Sequence, residues 1–334
     1  MILDINKLPK KFNEFNYFEK NENGVGCTLY SYSIKSNMII VCELEDFEIE
    51  NSFCVDNKTL EMLKVLSPID EIVVNKNFII KSKKGSYKAK LIENNMFRKP
   101  TMNFQYGFKA DLSRLKIASK FCAKTDKKPI LTGVNVNSNG DINATDSFVA
   151  YRYVNGDNVG VEIVSITIPS DFIDFISKIT NENNINIDFN NNICMIQIDN
   201  IKYINNLLEG NYPNLSRIFE SKYSASLFEF NINELKEKVE IAKNVGANKD
   251  MPIYITIAND TFIANGNNDF SGELNVVNSD RFEYTFTISL DYLSDVLNCL
   301  KDNEKMELRY NGSVRPIFIE ENGNEFLILP VKKD

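Results

Sequence analysis

The chain is 334 residues long, 43% hydrophobic and carries a net charge of −8, a composition that suits several globular domains and excludes wholesale disorder. It contains no histidine, which excludes Ser-His-Asp and Cys-His triads and removes the commonest general base and transition-metal ligand. The negative balance argues against indiscriminate nucleic-acid binding by the whole surface, while leaving room for a local basic face.

In chain order, residues 4–18 read as a first helix with Leu8, Phe12 and Phe15 on one face, and residues 26–49 must supply the strands that follow. Val55, Thr59, Leu60, Leu63 and Leu66 then mark a helical stripe, followed by a β-rich run over 71–93. Residues 111–124 have helical periodicity, with Leu115, Ala118 and Cys122 on one face and Lys116, Lys120 and Lys124 on a second stripe. A strand is expected over 130–136, a hairpin turn at Asn139-Gly140, a returning strand over 142–144 and another over 161–168. Pro169 and Ser170 open a helix carrying Phe172, Ile173, Ile176 and Ile179, with Ile168 before it completing the same spacing, and residues 185–208 are β-rich. The last third is expected to hold a helix over 233–245, a strand over 253–257, a turn at Asn259-Asp260 and a strand over 286–288. A helix over 290–300 carries Tyr292, Leu293, Val296 and Cys299, with Ile288 before it completing the same spacing, and residues 305–331 are again β-rich.

The three stripes share one spacing. The second begins 113 residues after the first and the third 120 after the second. A unit of that length is a whole domain, too long for a solenoid turn or a propeller blade. The expected division is 1–104, with a shortened first half, then 105–224 and 225–334, with boundaries near 103–107 and 221–227. The six cysteines show no CxxC spacing and sit mostly among apolar residues, as buried reduced thiols do. No apolar run approaches the roughly 20 residues that span a bilayer, and no signal-peptide pattern is present, so a cytoplasmic protein without membrane contact is expected. No metal or cofactor is expected.

Four segments carry a resemblance: Pro129-Ile-Leu-Thr-Gly133, Gly140-Asp-Ile-Asn-Ala-Thr-Asp-Ser-Phe-Val-Ala-Tyr-Arg152, Leu207-Leu-Glu-Gly-Asn-Tyr-Pro-Asn-Leu-Ser-Arg-Ile218 and Phe326-Leu-Ile-Leu-Pro-Val331. Together, in this order and within a threefold repeat, they resemble the bacterial sliding clamp, the beta subunit of DNA polymerase III. That family has PILTGV, ATDSYRLA, EGxFPDYxRV and a terminal YLIMPV/MR at comparable places. The resemblance covers the chain from Phe53 onward.

The resemblance implies an α+β fold, the DNA clamp fold, with three repeated domains of helices packed on antiparallel sheets. It implies a head-to-tail homodimer closing a ring of six domains around duplex DNA, which is encircled without sequence reading. The three repeats favour this arrangement over a trimer of two-domain subunits. A protein of this kind is no enzyme: it tethers the replicative DNA polymerase, and meets the clamp loader, through short linear peptides. The peptide groove of the family falls on Leu131, Thr145, Ser147, Phe148, Pro213, Arg217, Ile218, Tyr292, Val314, Leu327, Leu329, Pro330 and Val331. A DNA-facing set falls on Arg114, Lys116, Lys120, Lys124, Lys127, Lys236 and Lys243, with Lys7, Lys10 and Lys11 as counterparts in the first repeat. Without the resemblance these residues read as a solvated helix face, ordinary core positions and a turn that satisfies its own backbone.

Departures from the family pattern matter. Val149-Ala150 stand where Arg-Leu is usual, which removes a guanidinium fork. Leu329 replaces a methionine, Lys332 an arginine and Ser289 an asparagine. The shortened first repeat and the altered groove suggest a divergent clamp and leave a second reading, an adaptor or decoy that binds clamp-binding peptides without encircling DNA. A third reading is a carboxylate enzyme built on Asp141 and Asp146 with a divalent cation.

Overall fold

Period-two alternation governs the start of the described chain, where Asn16 and Phe18 are buried while Phe15 and Tyr17 are half-buried. The computed structural model describes residues 14–331 apart from 24, 76, 94–96, 126, 156–163, 246–253, 259–260, 266–269, 279–284, 301–304 and 311. The helix expected over 4–18 is corrected at its end, because β1 is Phe15–Lys20. Aromatic residues on alternate positions pack well on a pleated surface, and that outweighs the helical spacing of Phe12 and Phe15. Leu8, Phe12, Lys7, Lys10, Lys11, Lys332 and the Asn259-Asp260 turn lie outside the described residues.

The first third continues with β2 (Cys27–Ser33), β3 (Met38–Leu44), β4 (Phe53–Asp56), α1 (Asn57–Leu66), β5 (Glu71–Val74), β6 (Phe78–Ser82) and β7 (Gly85–Ala89). Asp56 caps α1 by accepting from the Thr59 N–H at 2.7 Å. At the other end of the helix, Lys84 Nζ donates to the carbonyls of Val65 and Ser67 at 3.0 and 2.5 Å.

The middle third comprises β8 (Tyr106–Asp111), α2 (Leu112–Ser119), β9 (Gly133–Asn137), β10 (Ile142–Thr145), β11 (Val149–Tyr153), β12 (Ser165–Pro169), α3 (Ser170–Ile179), β13 (Asn184–Phe189), β14 (Ile193–Ile198) and β15 (Ile201–Asn206). Two expectations are corrected here. The helix predicted over 111–124 ends at Ser119, so Lys120 and Lys124 leave the helical stripe begun by Lys116. The strand predicted from 130 begins only at Gly133, because Pro129–Thr132 is a 3-10 turn. Pro129 lacks an N–H and opens that turn, and Thr132 Oγ1 donates back to the Pro129 carbonyl at 2.8 Å.

The last third comprises α4 (Ser216–Glu220), β16 (Ser226–Asn231), α5 (Ile232–Val245), β17 (Tyr254–Ala258), β18 (Thr261–Asn265), β19 (Phe270–Glu273), β20 (Val276–Asn278), β21 (Thr285–Ser289), α6 (Leu290–Leu297), β22 (Lys305–Tyr310), β23 (Ile317–Glu321) and β24 (Asn324–Ile328). The helix expected over 290–300 stops at Leu297, leaving Cys299 just past its end.

The sheets do not respect the sequence repeats. One runs β4-β1-β2-β3-β15-β14-β13-β8 and another β12-β9-β10-β11-β24-β23-β22-β16-β20. Each joins strands from the front of one repeat to strands from the back of the next. Two smaller sheets, β5-β6-β7 and β19-β18-β17-β21, have no such partner among the described residues. Contacts therefore gather into two compact units: Met1–Leu112 with Asp174–Leu208, and Ser113–Ile173 with Glu209–Asp334. The division at 104 and 224 describes the repeat, whereas the contacts follow the sheets. Each unit has its own apolar core, the first including Phe18, Phe53, Phe78 and Phe189, the second Tyr151, Phe228, Phe230 and Phe262.

Candidate functional site

Every groove residue named from the sequence belongs to the second unit. The turn between β10 and β11 is fixed by its own side chains. Thr145 Oγ1 donates to the Val149 carbonyl at 2.7 Å and accepts from the Ser147 N–H at 3.1 Å. Asp146 Oδ1 accepts from the N–H groups of Phe148 and Val149 at 2.8 and 2.9 Å. Ser147 adopts φ +87°, in the left-handed region that non-glycine residues seldom occupy. Phe148 is left 59% exposed, which is unusual for a phenylalanine held on so ordered a turn.

Tyr292 of α6 reaches the same turn. Its hydroxyl donates to Asp146 Oδ2 at 2.8 Å, and its ring lies 6.5 Å from that of Phe148 with 17° between the planes. Burial pushes the Tyr292 phenol up, and the bonded Asp146 carboxylate pushes it further, so it stays a neutral donor. The Leu329 N–H donates to the Phe148 carbonyl at 2.9 Å, and the Val331 N–H to the Thr287 carbonyl at 2.8 Å. Tyr292→Phe is expected to loosen the turn, costing about 1 kcal/mol or roughly a fivefold loss in affinity for an apolar peptide. Calorimetric titration checks this, and unchanged affinity would remove the Tyr292–Asp146 bond from the account.

Beneath the turn lies an apolar floor that sequence reasoning only partly named. Ala150, Leu215, Phe219, Phe318 and Leu327 are buried together, with Tyr212 and Leu329 half-buried against them. Leu215 and Phe219 stand four residues apart in the segment around α4, a spacing that was readable but short enough to pass as loop. Leu131 is buried in the 3-10 turn and Ile218 is exposed on α4. Pro213, Arg217 and Val314 are exposed, and no hydrogen bond, ion pair or ring contact among the described residues ties them to the floor. Pro330 and Val331 are half-buried beyond β24. The arrangement offers buried apolar surface beside exposed apolar side chains, which suits the anchoring of apolar side chains from a partner.

The floor rests on the pairing of β11 with β24, in which Ala150 faces Leu327 and Arg152 faces Glu325. Arg152 Nε donates to Glu325, and the guanidinium lies 4.7 Å over the Phe219 ring. Lys222, only 4% exposed, donates to the other oxygen of Glu325 and pairs with Glu320 at 3.0 Å. Arg309 reaches Glu320 at 3.3 Å. Burial alone would raise the Glu325 carboxyl, but the bonds from Arg152 and Lys222 outweigh it and hold it below its ordinary value. Arg152 closes one of the segments that carry the resemblance, but none of these charged residues was read as a site residue, because their spacing along the chain gives no sign of the network.

The expected basic face is only partly assembled. Lys116 and Lys127 are exposed. Lys120 Nζ lies 3.7 Å from Cys299 Sγ, Lys236 Nζ donates to the Leu300 carbonyl at 3.3 Å, and Lys243 Nζ donates to Ser294 Oγ at 2.5 Å. These cations therefore gather around α6 by tertiary contact. Asp291 and Asp295 interrupt the positive charge. Burial raises the Asp295 carboxyl and Asp291 adds to the rise, against the opposing pull of Lys124, Lys243 and Lys120. Arg114, named with the lysines, makes contacts within its own unit. Its guanidinium sits 4.8 Å over the Tyr153 ring and donates to Asn324 Oδ1 at 2.5 Å and to the Asn322 carbonyl at 3.1 Å. It thereby braces the turn before β24.

The carboxylates of the enzyme reading serve their turns. Asp141 accepts from Asn139 Nδ2 at 2.8 Å and from the Asn155 N–H at 2.9 Å, while both oxygens of Asp146 are bonded as described. Among the described residues no three histidine, cysteine or acidic side chains are grouped so as to hold a metal ion. No helix among them is long and apolar enough to cross a membrane.

Comparison with known proteins agrees with this architecture. Residues 108–214 match the family model of the DNA polymerase III beta subunit, central domain. A beta sliding clamp of Staphylococcus aureus is 26% identical over 223 residues, 62% of this chain and 58% of the relative. The chain thus spans less than two thirds of that relative's length. A beta sliding clamp of Staphylococcus epidermidis is 25% identical over 66% of this chain and 62% of its own. The DNA polymerase sliding clamp of Bacillus subtilis superposes with a TM-score of 0.78 at 17% identity, covering 96% of this chain and 92% of the other. A Helicobacter pylori beta clamp bound to a DNA ligase peptide superposes with a TM-score of 0.75 at 16% identity, covering 99% and 94%. The sheet plan, the ordered motifs and the central-domain match converge: the chain has the fold of the bacterial sliding clamps, and its residues 108–214 are similar in sequence to the central domain of the DNA polymerase III beta subunit.

Proposed function

We propose that the protein is a non-enzymatic DNA polymerase processivity factor of the cytoplasm. In this reading two copies close a ring around duplex DNA, which passes through without being read in sequence. The groove of the second unit receives short linear peptides from the replicative polymerase and the clamp loader. The observation that carries the reading is the apolar floor beneath Phe148, set in a fold whose larger sheets each join one repeat to the next.

The two smaller sheets support ring closure. In the first large sheet the order runs from the strand before a helix through three strands to the last strand of the following repeat, β15. The order β21-β17-β18-β19 stops where that partner would add, and β7-β6-β5 is the missing half. Free strand edges of this kind invite pairing. Edge β19 of one copy would meet edge β7 of another, a head-to-tail contact that closes by rotation. Light scattering over a dilution series is expected to give twice 38.2 kDa. A persistent monomer that still binds peptide would favour the adaptor or decoy reading, which the altered Val149-Ala150 pair motivates.

DNA contact is proposed to run through Lys116, Lys120, Lys124, Lys127, Lys236 and Lys243. Each phosphate contact contributes about 0.9 to the slope of log affinity against log salt. Lys120→Gln with Lys124→Gln should therefore lower that slope by nearly 2 in fluorescence-anisotropy titrations with duplex DNA. An unchanged slope would return both lysines to the role of helix-end packing.

A further inference from the structure

The first unit holds a pocket that occupies the same place in the repeat as the groove of the second. The pairing of β3 with β15 brings Ile39 opposite Ile204, as that of β11 with β24 brings Ala150 opposite Leu327. The turn entering β3 passes through the left-handed region at Asn37 with φ +49°, as the turn entering β11 does at Ser147. An apolar cluster lies at this seam as well: Tyr30, Val41, Met195 and Ile204 are buried, with Phe97 and Phe104 of the following connection packed against them. Tyr212, Leu215 and Phe219 come from the corresponding connection of the next repeat.

Beside this cluster opens a pocket of about 360 Å³ lined by Phe15, Tyr32, Ile34, Phe97 and Arg98. Phe15 and Tyr32 stack at 5.1 Å, and Phe97 stacks on Tyr17 at 4.7 Å, so the walls are braced aromatic rings. Ile34 is 59% exposed at the rim, as Phe148 is on the equivalent turn. Arg98 is the charged side chain in the lining, and Lys35 follows the rim residue Ile34 in the chain. Arg98 and Lys35 are exposed, and neither has an ion pair recorded among the described residues. Lys99 and Glu19 neutralise each other at 2.7 Å, and Glu14 accepts from the Ile34 N–H at 3.3 Å.

We propose that this pocket is a second peptide-docking site, which takes one aromatic or large aliphatic side chain from an acidic linear peptide whose carboxylates meet Arg98 and Lys35. A volume of this size accommodates one such side chain, and the unpartnered guanidinium selects a carboxylate beside it. The pocket belongs to the first unit and the groove at Phe148 to the second, so one chain would hold two peptide segments of different charge preference.

The test uses the full chain labelled at isoleucine methyl groups and a synthetic acidic peptide with a single central phenylalanine. Titration is expected to shift the Ile34 methyl signal, and Arg98→Glu, at an exposed position, should weaken that binding at least tenfold. Phe148→Ala should leave the Ile34 response in place. If Ile34 stays still while the methyl of Ile218 in the second unit shifts, this proposal fails and the groove reading stands. A shift at Ile34 that Arg98→Glu does not weaken, or one produced by duplex DNA and not by the peptide, also overturns it.

Discussion

Replacing Phe148 and Ile218 together by alanine is expected to weaken the binding of a clamp-binding peptide about a hundredfold. Both side chains are apolar and exposed, and each stands close in the chain to a residue of the buried floor, Phe148 to Ala150 and Ile218 to Phe219. Phe148 is pre-positioned by the Asp146 hydrogen bonds and the neighbouring Tyr292 ring, so binding costs little extra ordering at that side chain. Anchors of this kind contribute about 2 kcal/mol or more each when truncated, with partial overlap between neighbours. Surface plasmon resonance with immobilised peptide measures the loss. Because both residues are exposed, the variant should unfold at the same urea concentration as the parent. A loss below about threefold would move the binding site elsewhere.

Removing the carboxylate of Glu325 is expected to be the most damaging single change to the second unit. Glu325→Ala would leave Arg152 and the buried Lys222 short of their shared partner, at a cost of about 3 kcal/mol. Glu320→Ala should cost less, about 1 kcal/mol, since Glu320 is more exposed and Glu325 still holds Lys222. The chain has no tryptophan, so urea unfolding is followed by tyrosine fluorescence and far-ultraviolet dichroism. The pH dependence follows from the same bonds. The Glu325 carboxyl is held below its ordinary 4.5, so its contribution is complete above that pH and fades as pH falls through the lowered value. Lys222 is shifted the other way. Burial would lower it, but Glu325 and Glu320 hold it above its ordinary 10.5, so its contribution is complete below that pH and fades as pH rises through the raised value. Glu325→Gln should flatten the acid limb of the stability curve, and an unaltered acid limb would show that Glu325 is not its source.

Local pattern carried much of the fold. The middle of each stripe, at Leu60, Phe172 and Leu293, lies on a helix, in α1, α3 and α6, while the first members Val55, Ile168 and Ile288 lie near the ends of the preceding strands β4, β12 and β21. The three β-rich runs each became a three-stranded meander for the parallel reason, alternation on a pleat. The misreadings fall where two local rules compete. Phe15 and Tyr17 obeyed a period of two against a neighbouring helical spacing, and Pro129 opened a 3-10 turn within a stretch of strand-forming residues.

The sequence by itself determined the repeat, the helix and strand types, the missing histidine chemistry and the order of the motifs, since each depends on residues close together in the chain. Only the tertiary structure decided which strands share a sheet, and so that the compact units cut across the repeats. It alone placed Arg114 against Tyr153 and Asn324, gathered Lys120, Lys236 and Lys243 around α6, and joined Arg152, Lys222 and Glu325 through residues far apart in the chain. Charge partners are chosen by distance in space, where a Coulomb interaction or a hydrogen bond is felt over a few ångströms, and the linear spacing of charged residues holds no record of that choice.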